Sequence, residues 1–168
     1  MIYHRKYLAT LVVIAIFYVS SEALHTGVGG DANNQGDVSL AGCTCHSESP
    51  DNSVTVILDG VPYQFEAGGQ YELIIQLIGG PEISADSYTG GFSMRVSSGE
   101  LSPGDGFEGL VQNWEGDLAT LTHTNAGSST ADRKWSIVWT APDDSTGSMP
   151  LLVAGNAVNG DMAPSILD

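Results

Sequence analysis

The sequence predicts an all-β chain folded as an antiparallel β-sandwich of immunoglobulin-like type, and three observations predict it. Beyond residue 50 the apolar residues fall in six short runs, continuous or alternating, each bounded by Gly, Pro, Asp or Asn. No stretch after residue 23 keeps a helical period for three turns, and 21 glycines and seven prolines oppose long helices. With 168 residues, 42% of them hydrophobic, the chain has the size of one domain and enough apolar material for one core.

The first element is a secretory signal over residues 1–23. His4, Arg5 and Lys6 form its charged start, Leu8 to Val19 its apolar stretch, and Ser21-Glu22-Ala23 a small-residue cleavage site, so that the mature chain begins near Leu24. The apolar stretch is shorter than the roughly 20 residues a membrane span needs, and no second such stretch follows, so no membrane span is expected after cleavage. Cleavage removes two positive charges and one negative, moving the formal net charge from −15 to −16 and leaving Arg95, Arg133 and Lys134 as the strong cations. So acidic a surface disfavours nucleic acid and anionic membranes, and is suited to staying soluble at the cell exterior. The expected location is outside the cell or on the outer face of its envelope.

Residues 24–52 come next, rich in Gly, Asn, Asp and Ser with little apolar periodicity, and read as an irregular segment. It contains the run Gly42-Cys43-Thr44-Cys45-His46, which holds both cysteines of the chain. Leu40-Ala41-Gly42-Cys43 matches a lipoprotein cleavage box by residue type, but it stands about twenty residues beyond the apolar segment that such a signal must follow directly.

The sandwich is expected over 53–168, with strands at Val54 to Leu58, Gln70 to Ile78, Gly91 to Ser97, Leu118 to His123, Trp135 to Thr140 and Met149 to Ala154. Asp59-Gly60, Gly79-Gly80-Pro81, Pro103-Gly104-Asp105-Gly106 and Pro142-Asp143-Asp144 are the turns between them. The plainest strand is the one from Trp135 to Thr140: Trp135, Ile137 and Trp139 share one face, Ser136, Val138 and Thr140 the other. Asn156, Asn159 and Asp161, beside Gly155 and Gly160, read as tight-turn residues, and Trp114, Trp135 and Trp139 as core or sheet-face residues.

Several segments, in order, carry a family resemblance. The Gly-rich lead into Cys43-Thr44-Cys45-His46, the stretch Tyr63 to Tyr71, Gly90 to Met94, Leu121 to Thr124, Trp135 to Pro142 and Ala154 to Asp161 together resemble the choice-of-anchor V domain of secreted microbial proteins, a relative of the reeler (reelin N-terminal) domain. The similarity runs from about Gly27 to Asp161. It implies an extracytoplasmic β-sandwich, usually joined to a C-terminal anchor or other modules, with no established enzyme activity. The chain ends at Asp168 without an anchor segment, so a freely secreted or a truncated form is expected. In the family the cysteine motif is often C-x-x-C-H, which looks like a haem c attachment site; here one intervening residue is missing.

Three chemistries remain open for the motif. Cys43 and Cys45 can close a small disulfide in an oxidising compartment. Cys45 and His46 can hold a haem c by one thioether and a proximal imidazole, although a two-residue spacing is what lets both thiols reach the two vinyl carbons. Cys43, Cys45 and His46 can bind a copper or zinc ion with one more donor. The resemblance places His123 on a strand beside the cysteine loop, which makes it the best remote donor; its alternative is a histidine hydrogen-bonded to a neighbour. Met94 and Met162 are softer options, with packing as the commoner role for a methionine. His25, beside the new N-terminus, carries no function in this reading.

No nucleophile-base arrangement, H-E-x-x-H, G-x-S-x-G, phosphate loop or EF-hand loop is present. The expected function is therefore a non-enzymatic binding or adhesion module for an unknown extracellular partner or cell-surface component. The alternative is an extracytoplasmic redox protein holding haem c or a copper or zinc ion through Cys43, Cys45, His46 and His123.

Overall fold

Alternation in the sequence becomes two facing sheets. The computed structural model describes residues 52–83, 88–144 and 147–161, so the expected signal over 1–23, the Gly-rich segment up to residue 51 and Met162 lie outside the described residues. Eight strands follow in order: β1 (Val54–Asp59), β2 (Gln70–Gly79), β3 (Gly90–Val96), β4 (Glu100–Pro103), β5 (Val111–Trp114), β6 (Asp117–His123), β7 (Lys134–Thr140) and β8 (Leu151–Ala157). One sheet has the order β1-β2-β7-β4 and the other β5-β6-β3-β8, with every pairing antiparallel. This is the β-sandwich that the periodicity predicts. Among the described residues no helix is long and apolar enough to cross a membrane.

The core lies between the sheets and takes every second residue of the strands that face it. Leu73, Ile75 and Leu77 of β2 and Trp135, Ile137 and Trp139 of β7 meet Phe92, Met94 and Val96 of β3 and Leu121 of β6, all of them buried. Trp135 packs its ring 5.0 Å from that of Phe92 across the two sheets, and its indole N–H donates to the Gly127 carbonyl at 2.8 Å. A buried indole without such an acceptor would carry the desolvation cost of its donor. The opposite face of β7 divides: Val138 and Thr140 are half-buried, while Ser136 is buried and donates to a Glu72 carboxylate oxygen at 2.9 Å.

Two strands, β4 and β5, lie where the sequence predicts none. β4 has four residues, of which Leu101 faces the core, and it ends on a proline. In β5 the inward position after Val111 is Asn113, a polar residue that breaks the apolar alternation. Its amide donates to the Leu101 carbonyl of β4 at 2.8 Å, so a side-chain hydrogen bond ties the two sheets together there.

β8 also runs three residues further than expected. Asn156 is a strand residue paired with Gly91, and Gly155 pairs with Phe92, correcting the turn expected at these two positions. Gly155 faces inward, where a Cβ would run into the Leu77 side chain, so here the glycine marks close packing rather than a turn. The turn begins at Asn159, whose side-chain oxygen accepts the Asp161 N–H at 3.1 Å.

Arg133, a surface-type residue by composition, is buried. Its guanidinium donates to the carbonyls of Thr89 and Gly79 at 2.7 Å each and to those of Pro81 and Val158 at 2.8 Å each. These carbonyls come from the end of β2, the approach to β3 and the residue after β8, so one side chain joins both sheets at one end of the sandwich. The backbone there is left-handed, with φ at 48°, an unfavourable conformation for a non-glycine residue that the four bonds hold in place. Burial holds the guanidinium pKa below its ordinary value.

Candidate functional site

Of the four site residues the sequence suggests, His123 lies in the described part of the chain, and Cys43, Cys45 and His46 lie outside it. His123 ends β6 and is buried. The β3–β6 ladder runs over Ser93 to Arg95, and beyond it the imidazole stands in for a strand: Nδ1 accepts the Phe92 N–H at 3.0 Å. Thr122 Oγ1 donates to the Phe92 carbonyl at 2.7 Å, so both polar groups of that peptide segment are met by side chains of β6. With Nδ1 accepting, the ring proton is assigned to Nε2. The ring stands against Gly91: a Cβ on that residue would lie 2.6 Å from Nε2 and closer still to Cε1, so only glycine admits the imidazole. His123 is thus a buried, hydrogen-bonded sheet histidine packed against a glycine.

Met94 is a core residue, 1% exposed, which fits its packing role. Trp135 and Trp139 are core residues and Trp114 is half-buried on β5. Among the described residues no group of three His, Cys, Asp or Glu side chains could hold a metal ion.

A second feature, unsuspected in the sequence, lies at the other end of the sandwich in the β1–β2 connection. Tyr63 is 99% exposed, and Val61 beside it is 43% exposed. The segment is tied down just after this display. Phe65, two residues on, turns inward and sits edge-on to Trp139 with ring centroids 5.3 Å apart. The Tyr71 hydroxyl accepts the Glu66 N–H at 2.7 Å, Gly69 N–H donates to the Glu66 carbonyl at 2.9 Å, and Ala141 N–H donates to the Gly69 carbonyl at 2.8 Å. In the sequence Tyr63 and Phe65 are equivalent, two aromatic residues two positions apart; the place of Trp139 decides which of them packs inward.

No protein-family model and no curated protein matches this chain. Among solved structures it is similar to the Reelin-N domain of F-spondin, with 18% identity, 64% of this chain and 74% of that one covered, and a TM-score of 0.46. It is also similar to the human F-spondin reeler domain, with 17% identity, 60% and 73% covered, and a TM-score of 0.42. A third similar structure is the chitin-binding domain of a chitinase from Pyrococcus furiosus, with 13% identity, 62% and 99% covered, and a TM-score of 0.34. The described residues offer two candidate features: a displayed tyrosine in the β1–β2 connection at one end, and a buried histidine against a glycine at the other.

Proposed function

We propose that this protein is a secreted or cell-surface, non-enzymatic binding or adhesion module of the choice-of-anchor V or reeler-like kind, maturing near Leu24, that meets its extracellular partner through the Tyr63 loop. One observation carries this reading: a fully exposed tyrosine displayed by a loop whose next residues, Phe65 and Glu66, are held by Trp139 and Tyr71. Water gains nothing from so exposed a ring, whereas a partner gains a large amphipathic contact surface. Because the loop is already ordered, little conformational entropy is lost when it binds. The formal net charge of −16 after cleavage near Leu24 favours a neutral or cationic partner surface.

The test compares the secreted protein with Tyr63→Ala on intact cells of the source and on a glycan array. Truncating a central aromatic contact removes about 2 kcal/mol of binding or more, so retention is expected to fall at least about tenfold. Folding stability should change by no more than about 0.5 kcal/mol, as for an exposed substitution. Equal retention of the two proteins would refute the loop as the contact point.

A second reading, a haem c- or metal-binding redox protein, is supported by the Cys43-Thr44-Cys45-His46 run of the sequence, with His123 as the candidate further ligand. Intact mass and a visible absorption spectrum of the secreted protein from a haem-maturing host decide between the two. A haem increment with a Soret band that His123→Ala alters would establish this second reading. A colourless protein lighter by two hydrogens would mean a Cys43–Cys45 disulfide, and the binding module stands.

A further inference from the structure

β1 is an edge of the first sheet: among the described residues it pairs with β2 alone. One bond shows which of its peptide groups that pairing uses. The Ser53 carbonyl accepts the Gly80 N–H at 3.0 Å, which makes Ser53 and Gly80 a hydrogen-bonded pair in the register that sets Val54 opposite Gly79. Antiparallel ladders alternate bonded with non-bonded pairs. Thr55, Ile57 and Asp59 therefore bond to β2, and the N–H and C=O groups of Val54, Val56 and Leu58 point away from it, along the edge. The side chains divide in the same way. Thr55, Ile57 and Asp59 are exposed, while Val54, Val56 and Leu58 pack on the core yet stay half-buried, where Leu73, Ile75 and Leu77 of β2 are buried.

A sheet edge is ordinarily guarded against pairing by a lysine, a proline, a bulge or a very short strand. At the opposite edge of the first sheet, β4 is four residues long and ends on Pro103. In the second sheet β5 has a register shift at Asn113 and Trp114, and β8 is weakened by Gly155 in its interior. β1, Val-Thr-Val-Ile-Leu-Asp, has no such guard and no charge before its last residue.

We infer that β1 is a self-association edge, on which the β1 strand of a second copy of this chain pairs antiparallel about a two-fold axis at Val56. Alternation selects this register. Residues opposite one another in a continued sheet must share a face, and an axis at Val56 sets Val56 opposite Val56, Val54 opposite Leu58 and Thr55 opposite Ile57. All three edge-facing positions are then used, giving three bonded pairs and roughly six hydrogen bonds, whereas an axis at Ile57 gives roughly four. Val54, Val56 and Leu58 gain apolar neighbours on the core side, which completes their burial. Charge favours the same arrangement. Two copies of so acidic a chain can meet only where their carboxylates stay apart, and in this register the two Asp59 side chains stand roughly 20 Å from each other, beyond the Debye length of about 8 Å at physiological salt. At one hydrogen bond per 100–200 Å², the roughly six bonds correspond to about 600–1,200 Å² of interface, the size of a weak and reversible association. The two-fold axis also puts the two Tyr63 loops at opposite ends of the joined sheet. If Tyr63 is the contact proposed above, one dimer bridges two partner surfaces; the pairing itself does not rest on that reading.

The full secreted chain carries the test. Sedimentation equilibrium is expected to show a monomer–dimer equilibrium. Amide exchange read by nuclear magnetic resonance is expected to slow at Val54, Val56 and Leu58 as the concentration rises from micromolar to millimolar, and to stay unchanged at Thr55 and Ile57, which already bond to β2. Ile57 is 37% and Ile78 50% exposed, so a carboxylate at either leaves the core intact. Ile57→Glu sets two carboxylates close together across the axis and should weaken the dimer at least about tenfold. Ile78→Glu adds the same charge to the same outward face one strand further in, and should leave the dimer as it is. A monomer at every concentration, slow exchange of the three amides that does not depend on concentration, or equal weakening by the two substitutions would each overturn the inference.

Discussion

Replacing Arg133 with methionine is expected to lower the stability by about 3–5 kcal/mol, because four carbonyls lose a donor together, Thr89's keeping the Val158 N–H. The carbonyls of Gly79, Pro81, Thr89 and Val158 all point at this guanidinium, which links the end of β2 to the paired ends of β3 and β8. Each carbonyl left without a donor costs about 1–3 kcal/mol when it stays buried. Water admitted at this end of the sandwich offsets part of the sum. Arg133→Lys keeps the charge but offers three donors on a single nitrogen, which cannot span the fork, and should lose about half as much. Urea unfolding followed by circular dichroism measures both; a methionine variant within about 1 kcal/mol of wild type would refute the clamp.

The pH behaviour of this group has a definite sign. Burial holds the folded-state pKa of Arg133 below its unfolded value. Below the lowered value both states are protonated, so the desolvation penalty is constant; only in strongly alkaline solution does folding release a proton and gain stability. The difference between wild type and Arg133→Met is therefore expected to be the same from about pH 6 to about pH 9. A difference that changes across that range would mean another titrating group acts through this residue.

Trp135→Ala is expected to cost about 3–5 kcal/mol and to loosen the contact between the sheets. The indole is fully buried, packs on Phe92 of the opposite sheet and satisfies the Gly127 carbonyl, so alanine leaves both a cavity and an orphaned acceptor. Trp135→Phe restores most of the volume but not the donor, and its smaller loss, about 1–2 kcal/mol, isolates the hydrogen bond and shape terms. Thermal unfolding with near-ultraviolet dichroism reads both variants. An alanine variant that melts with wild type would show that the two sheets do not depend on this contact.

Much of the fold was legible in the chain because burial on one face writes a period of two into a strand. Trp135, Ile137 and Trp139 announce β7, and the run from Gln70 to Ile78 announces β2, since both carry large apolar residues at every inward position. β4 and β5 were silent for the same physical reason read in reverse: a four-residue strand with one core leucine has no period, and Asn113 stands where an apolar residue would have marked one. Gly155 and Asn156 suggested a turn because a sequence shows that a glycine is present but not whether it is there for its φ or for its missing Cβ. At the candidate site His123 was legible as a residue able to bind, while its Nδ1 bond to Phe92 depends on a register that no local pattern reveals.

By itself the sequence determined the all-β architecture, the strands with full apolar alternation, the acidic surface and the chemistry open to the cysteine motif, because each of these is a local property of composition or spacing. Only the tertiary structure decided that Arg133 is a clamp rather than a surface charge, and that Phe65 packs inward while Tyr63 is displayed. Each of those depends on which distant segments meet, and a side chain's burial is set by its neighbours in space rather than along the chain.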